Sequence, residues 1–211
     1  MGSAAEKMDV EQGLPRASPV VSEQPSQLFP ALFRMRDVNH RLTVVEIGPA
    51  VPETVEFFSR FKCRLHFVDL FHEPFVREQQ ANLSETELRH AFEEQFRFAP
   101  GTKIDVCLFW DFLCYLDDRA LRAFNSALKP WIHSATRAHG YGVHHLAIQL
   151  ENIQYGVIEQ DRLSVRNRLT PQLPYHPHSQ IEMHDMLNTF DFERGLLLEN
   201  GKLEMLLKPR V

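Results

Sequence analysis

One short segment of this chain restricts its fold more than any other. Leu42–Ile47 reads L-T-V-V-E-I, a nearly continuous run of β-branched and apolar residues. A strand that is covered on both faces of a parallel sheet needs such a run, whereas a strand with one wet face alternates apolar and polar residues. Gly48 and Pro49 then end the run, and Pro52 with Glu53 begins a helix, because proline and an acidic side chain suit the first helical turn. The segment therefore predicts a strand, a tight turn and a helix.

The same alternation of strand and helix continues along the chain. Apolar runs predict further strands over residues 64–70, 104–110 and 144–150. Helices are predicted where capping residues precede apolar side chains at helical spacing; these starts are Ser84 with Glu87, Asp117 with Asp118, and Ser179 with Glu182. Strands that alternate with helices build a mostly parallel sheet with right-handed crossovers.

The C-terminal segment departs from this alternation. Residues 195–199 and 202–207 are strand-like and flank Asn200-Gly201, a pair that tolerates the positive φ angles of a type I′ turn. Because such turns join antiparallel strands, we expect a hairpin at the end of the chain.

Length and charge limit the class of protein. The chain has 211 residues, 44% of them hydrophobic, which is enough for one core but short for two full domains. Residues 1–27 are mostly polar, so we expect a disordered tail before a single domain over residues 28–211. The net charge of −5 provides no basic field for a nucleic acid. No apolar stretch approaches the roughly 18 residues that a membrane-spanning helix needs.

The cysteines and the first residues indicate a cytoplasmic protein. Cys63, Cys107 and Cys114 form no C-x-x-C pair and lie within apolar runs, which favours reduced, buried thiols over disulfides or zinc ligands. A catalytic thiol would need a basic neighbour in space. The N-terminus lacks the positive start and apolar core of a secretory signal.

Four segments together resemble one known family. V-V-E-I-G-P-A from Val44, F-V-D-L from Phe67, I-D-V-C-L-F-W-D-F-L from Ile104 and the final hairpin resemble the class I S-adenosylmethionine (SAM)-dependent methyltransferases, over residues 41–210. The resemblance implies an α/β, Rossmann-like, doubly wound fold. Its mostly parallel seven-stranded sheet would end in a C-terminal antiparallel β-hairpin. The resemblance also implies SAM as the cofactor, bound at the carboxyl ends of the strands.

The resemblance places the cofactor after three strands. Glu46, near the end of the first strand, and Gly48, just after it, match the family's first motif. Pro49 and Ala50 follow where further glycines are usual. Asp69 ends the second strand, where a carboxylate can accept hydrogen bonds from both ribose hydroxyls. After the third strand, rings can stack on adenine and a carboxylate can attract the cationic sulfur. The expected cofactor residues are Glu46, Gly48, Pro49, Ala50, Asp69, Leu70, Trp110, Asp111 and Phe112.

Two departures from the family pattern keep alternatives open. The turn has a single glycine, and F-R-F-A-P stands before the third strand, where the family has an acid that reads the adenine amino group. Gly48 could simply end a buried strand, and Asp69 could cap the next turn. A nicotinamide cofactor fits less well, because the spaced glycines of G-x-G-x-x-G are absent and Glu53 would face a pyrophosphate with like charge.

Candidate substrate residues lie further along the chain. Tyr155, Tyr175, His176 and His178 flank the region where many methyltransferases form the substrate wall. The histidines lack the spacing of metal ligands, so no metal site is expected. The charged run 159–168 predicts a solvated hairpin or arm that covers this site. No catalytic residue is assigned, because methyl transfer depends mainly on aligning the nucleophile with the methyl group.

The sequence supports two functions. The first is a SAM-dependent methyltransferase that acts on a small molecule. The second is a methyltransferase-like protein that has lost catalysis and serves as a binding or regulatory partner, which the missing glycines and the missing acid favour. Neither nucleic acid nor membrane is indicated as a partner, and a homodimer is one of the oligomeric states left open.

Overall fold

The structure, a computed structural model, describes residues 21–33, 41–78, 80–143, 145 and 147–210. Within these ranges, no helix is long and apolar enough to cross a membrane. The strands are β1 (Ser22–Pro25), β2 (Leu42–Ile47), β3 (Cys63–Val68), β4 (Ile104–Trp110), β5 (Ile132–Gly142), β6 (Ile153–Glu159), β7 (Arg162–Asn167), β8 (Phe190–Leu197) and β9 (Leu203–Pro209). The α-helices are α1 (Pro52–Ser59), α2 (Pro74–Arg77), α3 (Glu85–Gln95), α4 (Asp118–Leu128) and α5 (Gln180–Met186). Two short 3₁₀ turns near the site are Leu70–His72 and Phe112–Tyr115.

Six of the described strands form the central sheet, in the order β3-β2-β4-β5-β9-β8. The first four strands in that order run parallel, and β9 inserts between β5 and β8 antiparallel to both. The mostly parallel α/β sheet expected from the sequence is confirmed. Because Gly48, Asp69 and Asp111 each follow a parallel strand directly, all three lie at the same edge of the sheet.

The described part of this sheet has six strands, where the resemblance implies seven. The segment after α3, next to the edge strand β3, packs its aromatic rings instead of forming a ladder. The rings of Phe96 and Phe98 stack on each other, and Phe98 lies edge-on against His66 with centroids 5.0 Å apart. The nearby backbone hydrogen bonds join close neighbours, such as Arg97 to Gln95. Aromatic packing thus covers the edge that a further strand would occupy.

The strand predicted over residues 144–150 is wrong, because the fourth parallel strand is β5, which lies earlier in the chain. β5 reads I-H-S-A-T-R-A-H-G-Y-G and has few large apolar residues, so no apolar run marks it. Close approach to β4 explains its small side chains: a β-carbon at Gly140 would lie 2.9 Å from the carbonyl oxygen of Trp110. Residues 147–150 form a turn and loop, while His144 and Leu146 lie outside the described residues.

The final two strands pair antiparallel, but their turn differs from the predicted type I′ turn. That turn needs positive φ at both central residues, yet among the described non-glycine residues only Trp110 has a positive φ, and Gly201 has φ +80°. The N–H of Gly201 donates to the carbonyl of Leu198 at 2.9 Å, and the N–H of Leu198 donates to Lys202 at 2.8 Å. Only the glycine takes the left-handed conformation, as in a type I turn closed by a glycine bulge.

A second, antiparallel sheet of order β1-β7-β6 packs on α1. The N–H of Val157 in β6 donates to the hydroxyl of Thr54 in α1 at 3.1 Å. We call residues 153–168, from β6 through Arg168, the arm. The charged run forms part of the arm, but Leu163 is fully buried, so the arm is not the solvated hairpin that was predicted.

The strand β1 lies within the segment that the sequence predicted as a disordered tail, residues 1–27. Ser22–Pro25 pairs with β7, and the buried hydroxyl of Ser26 donates to Oε1 of Glu204. The N–H of Leu28 donates to the same carboxylate oxygen at 3.1 Å. Residues 21–27 therefore belong to the folded domain, because these bonds offset the entropy of ordering them. Residues 1–20 lie outside the described residues.

The core lies on both faces of the central sheet. One face carries α3, α4 and α5 with rings such as Phe92 and Phe124, and the other carries α1 and the arm. The predicted capping boxes are confirmed at Ser84 and Ser179, whose hydroxyls accept the N–H groups of Glu87 and Glu182.

All three cysteines are free thiols, as predicted; Cys107 and Cys114 are buried and Cys63 is partly buried. Burial, and then the charge of Asp111, raise the pKa of Cys114 to about 12. A thiol with such a pKa stays protonated at neutral pH, which does not favour a catalytic thiolate at this position.

Candidate functional site

Gly48 and Asp69 lie side by side at the carboxyl edge of the sheet. The N–H of Gly48 donates to the carbonyl of Val68 at 2.9 Å, because β2 and β3 are parallel neighbours. Gly48 has φ +138°, a conformation that favours glycine, so this position has a backbone reason for its residue. Pro49 is partly buried and Ala50 is exposed, which puts the rest of the predicted turn at the surface.

Asp69 has one carboxylate oxygen without a partner. Its side chain is 31% exposed, and Oδ2 contacts Nδ1 of His72 at 2.6 Å. Oδ1 is buried and has no hydrogen-bond partner among the described residues. The carboxylate does not cap the backbone of the following turn, which removes the turn-cap alternative. Leu70, in contrast, is fully buried, so its side chain packs in the core instead of facing a ligand.

Glu46 and Trp110 bind each other inside the protein. The Nε1–H of Trp110 donates to Oε1 of Glu46 at 2.9 Å, and both side chains are buried. Burial raises the pKa of Glu46 to about 8, although hydrogen bonds from Trp110 and Thr54 oppose the rise. The pair links β2 to β4. In this structure both side chains face the protein interior, and their role as cofactor contacts stays a prediction.

The ring of Trp110 belongs to a buried stack of four aromatic rings. Phe29, Trp110, Tyr155 and Tyr141 follow one another with centroid distances of 6.2, 5.4 and 5.0 Å and interplanar angles below 20°. Trp110 is therefore covered on both faces and cannot stack on adenine. Tyr155, predicted to contact substrate, is part of the same stack. The sequence did not reveal the stack because its members lie far apart along the chain.

Asp111 is fully buried directly after β4. Its Oδ1 lies 2.6 Å from Nη2 of Arg168, and the hydroxyl of Tyr115 donates to Oδ2 at 3.2 Å. Burial raises the pKa of Asp111, and the positive charges of Arg168 and Lys202 oppose that rise. Phe112 is also fully buried, with no surface left for a ligand in this conformation.

Two residues that no sequence motif indicated, Phe71 and Arg168, close this edge of the sheet. The ring of Phe71 lies over Gly48, where an added β-carbon would be 3.8 Å from Cε2. The guanidinium of Arg168 lies over the same ring, with Cζ 3.5 Å from the centroid. Arg168 comes last in the charged run, and its pairing with Asp111 depends on the fold of the arm, which no local pattern shows.

The remaining predicted substrate residues differ in their surroundings. The hydroxyl of Tyr175 donates to the carbonyl of Ile148 at 3.2 Å. His178 is 5% exposed and its Nε2 contacts the carbonyl of Leu116 at 2.8 Å, so its imidazole is held inside the protein in this structure. Burial lowers the pKa of the half-buried His176, which favours the neutral form of its imidazole. No group of three or more His, Cys, Asp or Glu side chains in the described ranges could hold a metal ion.

The polar groups at this edge suit an adenosyl cofactor, while the filled volume does not. Oδ1 of Asp69 can accept a hydrogen bond from a ribose hydroxyl, and Asp111 beside the face of Phe71 can attract a cation. In this structure the side chains of Phe71 and Arg168 fill the space next to Gly48. Both therefore have to move before a ligand reaches the glycine turn.

Comparison with known proteins gives structural matches only. No protein-family model and no curated protein sequence matches the chain. The PH0226 protein from Pyrococcus horikoshii OT3 is similar with a TM-score of 0.50 and 12% identity, over 87% of this chain and 88% of that one. The Burkholderia thailandensis 1,6-didemethyltoxoflavin-N1-methyltransferase has a TM-score of 0.47 and 14% identity, over 80% of this chain and 71% of that one. The pyocyanin biosynthetic protein PhzM has a TM-score of 0.44 and 13% identity. The match covers 86% of this chain but only 54% of PhzM.

The strand order and the antiparallel insertion of β9 give this chain the class I SAM-dependent methyltransferase fold. The likeness to PH0226 extends over most of both chains. At 12% identity, the likeness shows the fold alone.

Proposed function

We propose that this protein is a SAM-dependent methyltransferase that acts on a small molecule. The observation that carries the proposal is the unpaired Oδ1 of Asp69, next to the turn at Gly48. A buried carboxylate oxygen without a partner costs free energy, and a ribose hydroxyl would supply the missing hydrogen bond. The same residue lies at the end of the second parallel strand, where this fold binds ribose.

The chain's own residues would bind and align the reactants. SAM, when bound, supplies an activated methyl group. Gly48 would let the ligand approach the backbone once the ring of Phe71 has moved, Asp69 would accept hydrogen bonds from the ribose hydroxyls, and Asp111 with Phe71 would face the cationic centre. The backbone N–H of His176 donates a 2.6 Å hydrogen bond to the carbonyl of Cys114, which lies on the 3₁₀ turn that follows Asp111. Its neutral imidazole can take a proton from the methyl acceptor.

Charge favours a small methyl acceptor. With a net charge of −5, the chain repels a phosphate backbone at long range. Alignment of a small nucleophile with the methyl group needs no extended binding surface.

A second candidate is a methyltransferase-like binding or regulatory protein without catalysis. The specific observation in its favour is the closed edge: the ring of Phe71 covers Gly48, and Arg168 pairs with Asp111. If this closure is permanent, neither cofactor nor substrate reaches the strand ends.

Calorimetric titration of the full chain with SAM and with S-adenosylhomocysteine separates the two candidates. Saturable binding with a micromolar dissociation constant supports the methyltransferase, and transfer of labelled methyl groups to a small-molecule fraction then identifies the acceptor. If neither compound binds, even to a folded Arg168→Ala variant, the methyltransferase proposal fails and the second candidate stands.

A further inference from the structure

Arg168 occupies a site that is built for a cation. Its guanidinium lies 2.6 Å from the carboxylate of Asp111 and 3.5 Å from the centroid of Phe71. The side chain of Arg168 is 8% exposed, and that of Asp111 is fully buried. A carboxylate beside an aromatic face is the arrangement that proteins use to bind small organic cations.

The charges around Asp111 are already balanced. Lys202 is 2% exposed, and its charge acts on Asp111 together with that of Arg168. Nζ of Lys202 also contacts the carboxylate of Glu151 at 3.4 Å. Two cations therefore face two carboxylates, so an additional cation can enter only where one of the two leaves. Arg168 is the one that can leave, because it lies at the end of the arm, whereas Lys202 lies between the two strands of the C-terminal hairpin.

Unpaired polar atoms show that the closed arrangement is incomplete. Nε of Arg168, the hydroxyl of Tyr155 and Oδ1 of Asp69 are buried and lack hydrogen-bond partners among the described residues. Tyr155 is 1% exposed and close enough to Asp111 for that charge to raise its pKa further, beyond the rise due to burial. Buried polar groups without partners are rare in stable proteins, and a ligand or a second conformation would supply partners for these three atoms.

We propose that Asp111 and Phe71 form a binding site for a small sulfonium or quaternary ammonium cation, and that Arg168 is its internal occupant. A ligand cation displaces the guanidinium and takes over its contacts with the carboxylate and the ring. For SAM the inference rests on the proposed function, but the cation site itself does not depend on it. Arg168 thus acts as a plug that any cationic ligand must remove.

The test uses trimethylsulfonium chloride, which carries the cation without the adenosyl group. The melting temperatures of the full-length parent and of Arg168→Ala are measured with this salt and with equal sodium chloride. We expect no difference between the salts for the parent and a rise of about 3 °C for the variant, the shift for a ligand at several times its dissociation constant. Arg168→Gln, which keeps a donor for Asp111, replaces the alanine variant if that variant does not fold.

Arg162→Ala is the matched control, since Arg162 lies in the same arm but is 43% exposed and pairs with Glu23 and Glu159. It should respond like the parent. The proposal is overturned if the Arg168 variants show no trimethylsulfonium effect, or if Arg162→Ala shows the same one. A response of the Arg168 variants without any SAM binding would keep the cation site and reject the methyltransferase proposal.

Discussion

The indole Nε1–H of Trp110 donates a 2.9 Å hydrogen bond to Oε1 of Glu46 inside the protein. The bond joins β2 to β4 just below the edge where the candidate site lies. Burial raises the pKa of Glu46 to about 8, so the folded protein holds a proton there that the unfolded chain releases near pH 4.5. Stability is therefore linked to pH through this one carboxyl group.

Glu46→Gln should remove part of the pH dependence of stability. The stabilising contribution of Glu46 is fully present below pH 4.5 and is lost as the pH rises from there through about 8. Between these two values the unfolded chain ionises Glu46, whereas the folded protein keeps it protonated. The parent should lose up to about 1.4 kcal/mol per pH unit relative to the variant between these values. Urea unfolding from pH 5.5 to 9 measures the difference. Parallel stability curves for the two proteins would contradict a protonated Glu46.

Glu204 should have the opposite effect at acid pH. Burial alone would raise its pKa, but hydrogen bonds and charge from His139, with further bonds from Ser26 and Leu28, lower it to about 2. The stabilising contribution is present above pH 4.5 and is lost as the pH falls toward 2. Glu204→Gln should therefore flatten the acid limb of the stability curve and loosen residues 26–28. Circular dichroism against pH tests the first effect, and hydrogen exchange tests the second.

Gly48→Ala should destabilise the protein through the backbone. An added β-carbon would have room, since its nearest atoms in the ring of Phe71 are 3.8 Å away, but φ +138° is strained for any other residue. The expected cost is about 1–3 kcal/mol in the free energy of unfolding. Gly195→Ala is the control, because its β-carbon would lie 3.5 Å from Leu203 at an ordinary φ. The control should change stability by less than about 1 kcal/mol. Equal effects at both positions would show that the conformation of Gly48 is not restrictive.

Asp69→Ala should weaken SAM binding by about 1.5–3 kcal/mol, the range for a hydrogen bond to a charged group. The unfolding temperature without ligand should change little, since the side chain is 31% exposed and, among the described residues, its carboxylate pairs with His72 alone. Asp185→Ala, at a 74% exposed carboxylate, serves as the control. Calorimetric titration measures the affinity of both variants for SAM. An unchanged dissociation constant for Asp69→Ala would remove Asp69 from the site.

The sequence was informative where one local pattern determines the structure. The apolar runs of β2 and β4 and the capping boxes at Ser84 and Ser179 appear in the structure as predicted. β5 was missed because its burial comes from its neighbours β4 and β9, and its small residues form no apolar run. Of the pair Asn200-Gly201 only Gly201 takes a positive φ, so the pair located the turn but not its type.

The candidate site was predicted only in part, because some of its residues meet through contacts between distant parts of the chain. Gly48, Asp69 and Asp111 each follow a strand, and parallel strands bring them to one edge. Phe71 and Arg168 close that edge through contacts that depend on the arm, which packs from a distant part of the chain. Trp110 was predicted as an adenine contact, but Phe29 and Tyr155 cover its two faces.

A crystal structure of the full chain with S-adenosylhomocysteine will show whether the cofactor binds at the carboxyl edge of the sheet. We expect the ribose hydroxyls on the carboxylate of Asp69, beside the turn at Gly48, with the side chains of Phe71 and Arg168 moved from their present positions. Density for the ligand elsewhere, such as the surface cavity of about 530 Å³ lined by Ile181, His184 and Phe192, would contradict it. So would a crystal grown at saturating ligand in which Arg168 still pairs with Asp111 and the edge holds no ligand.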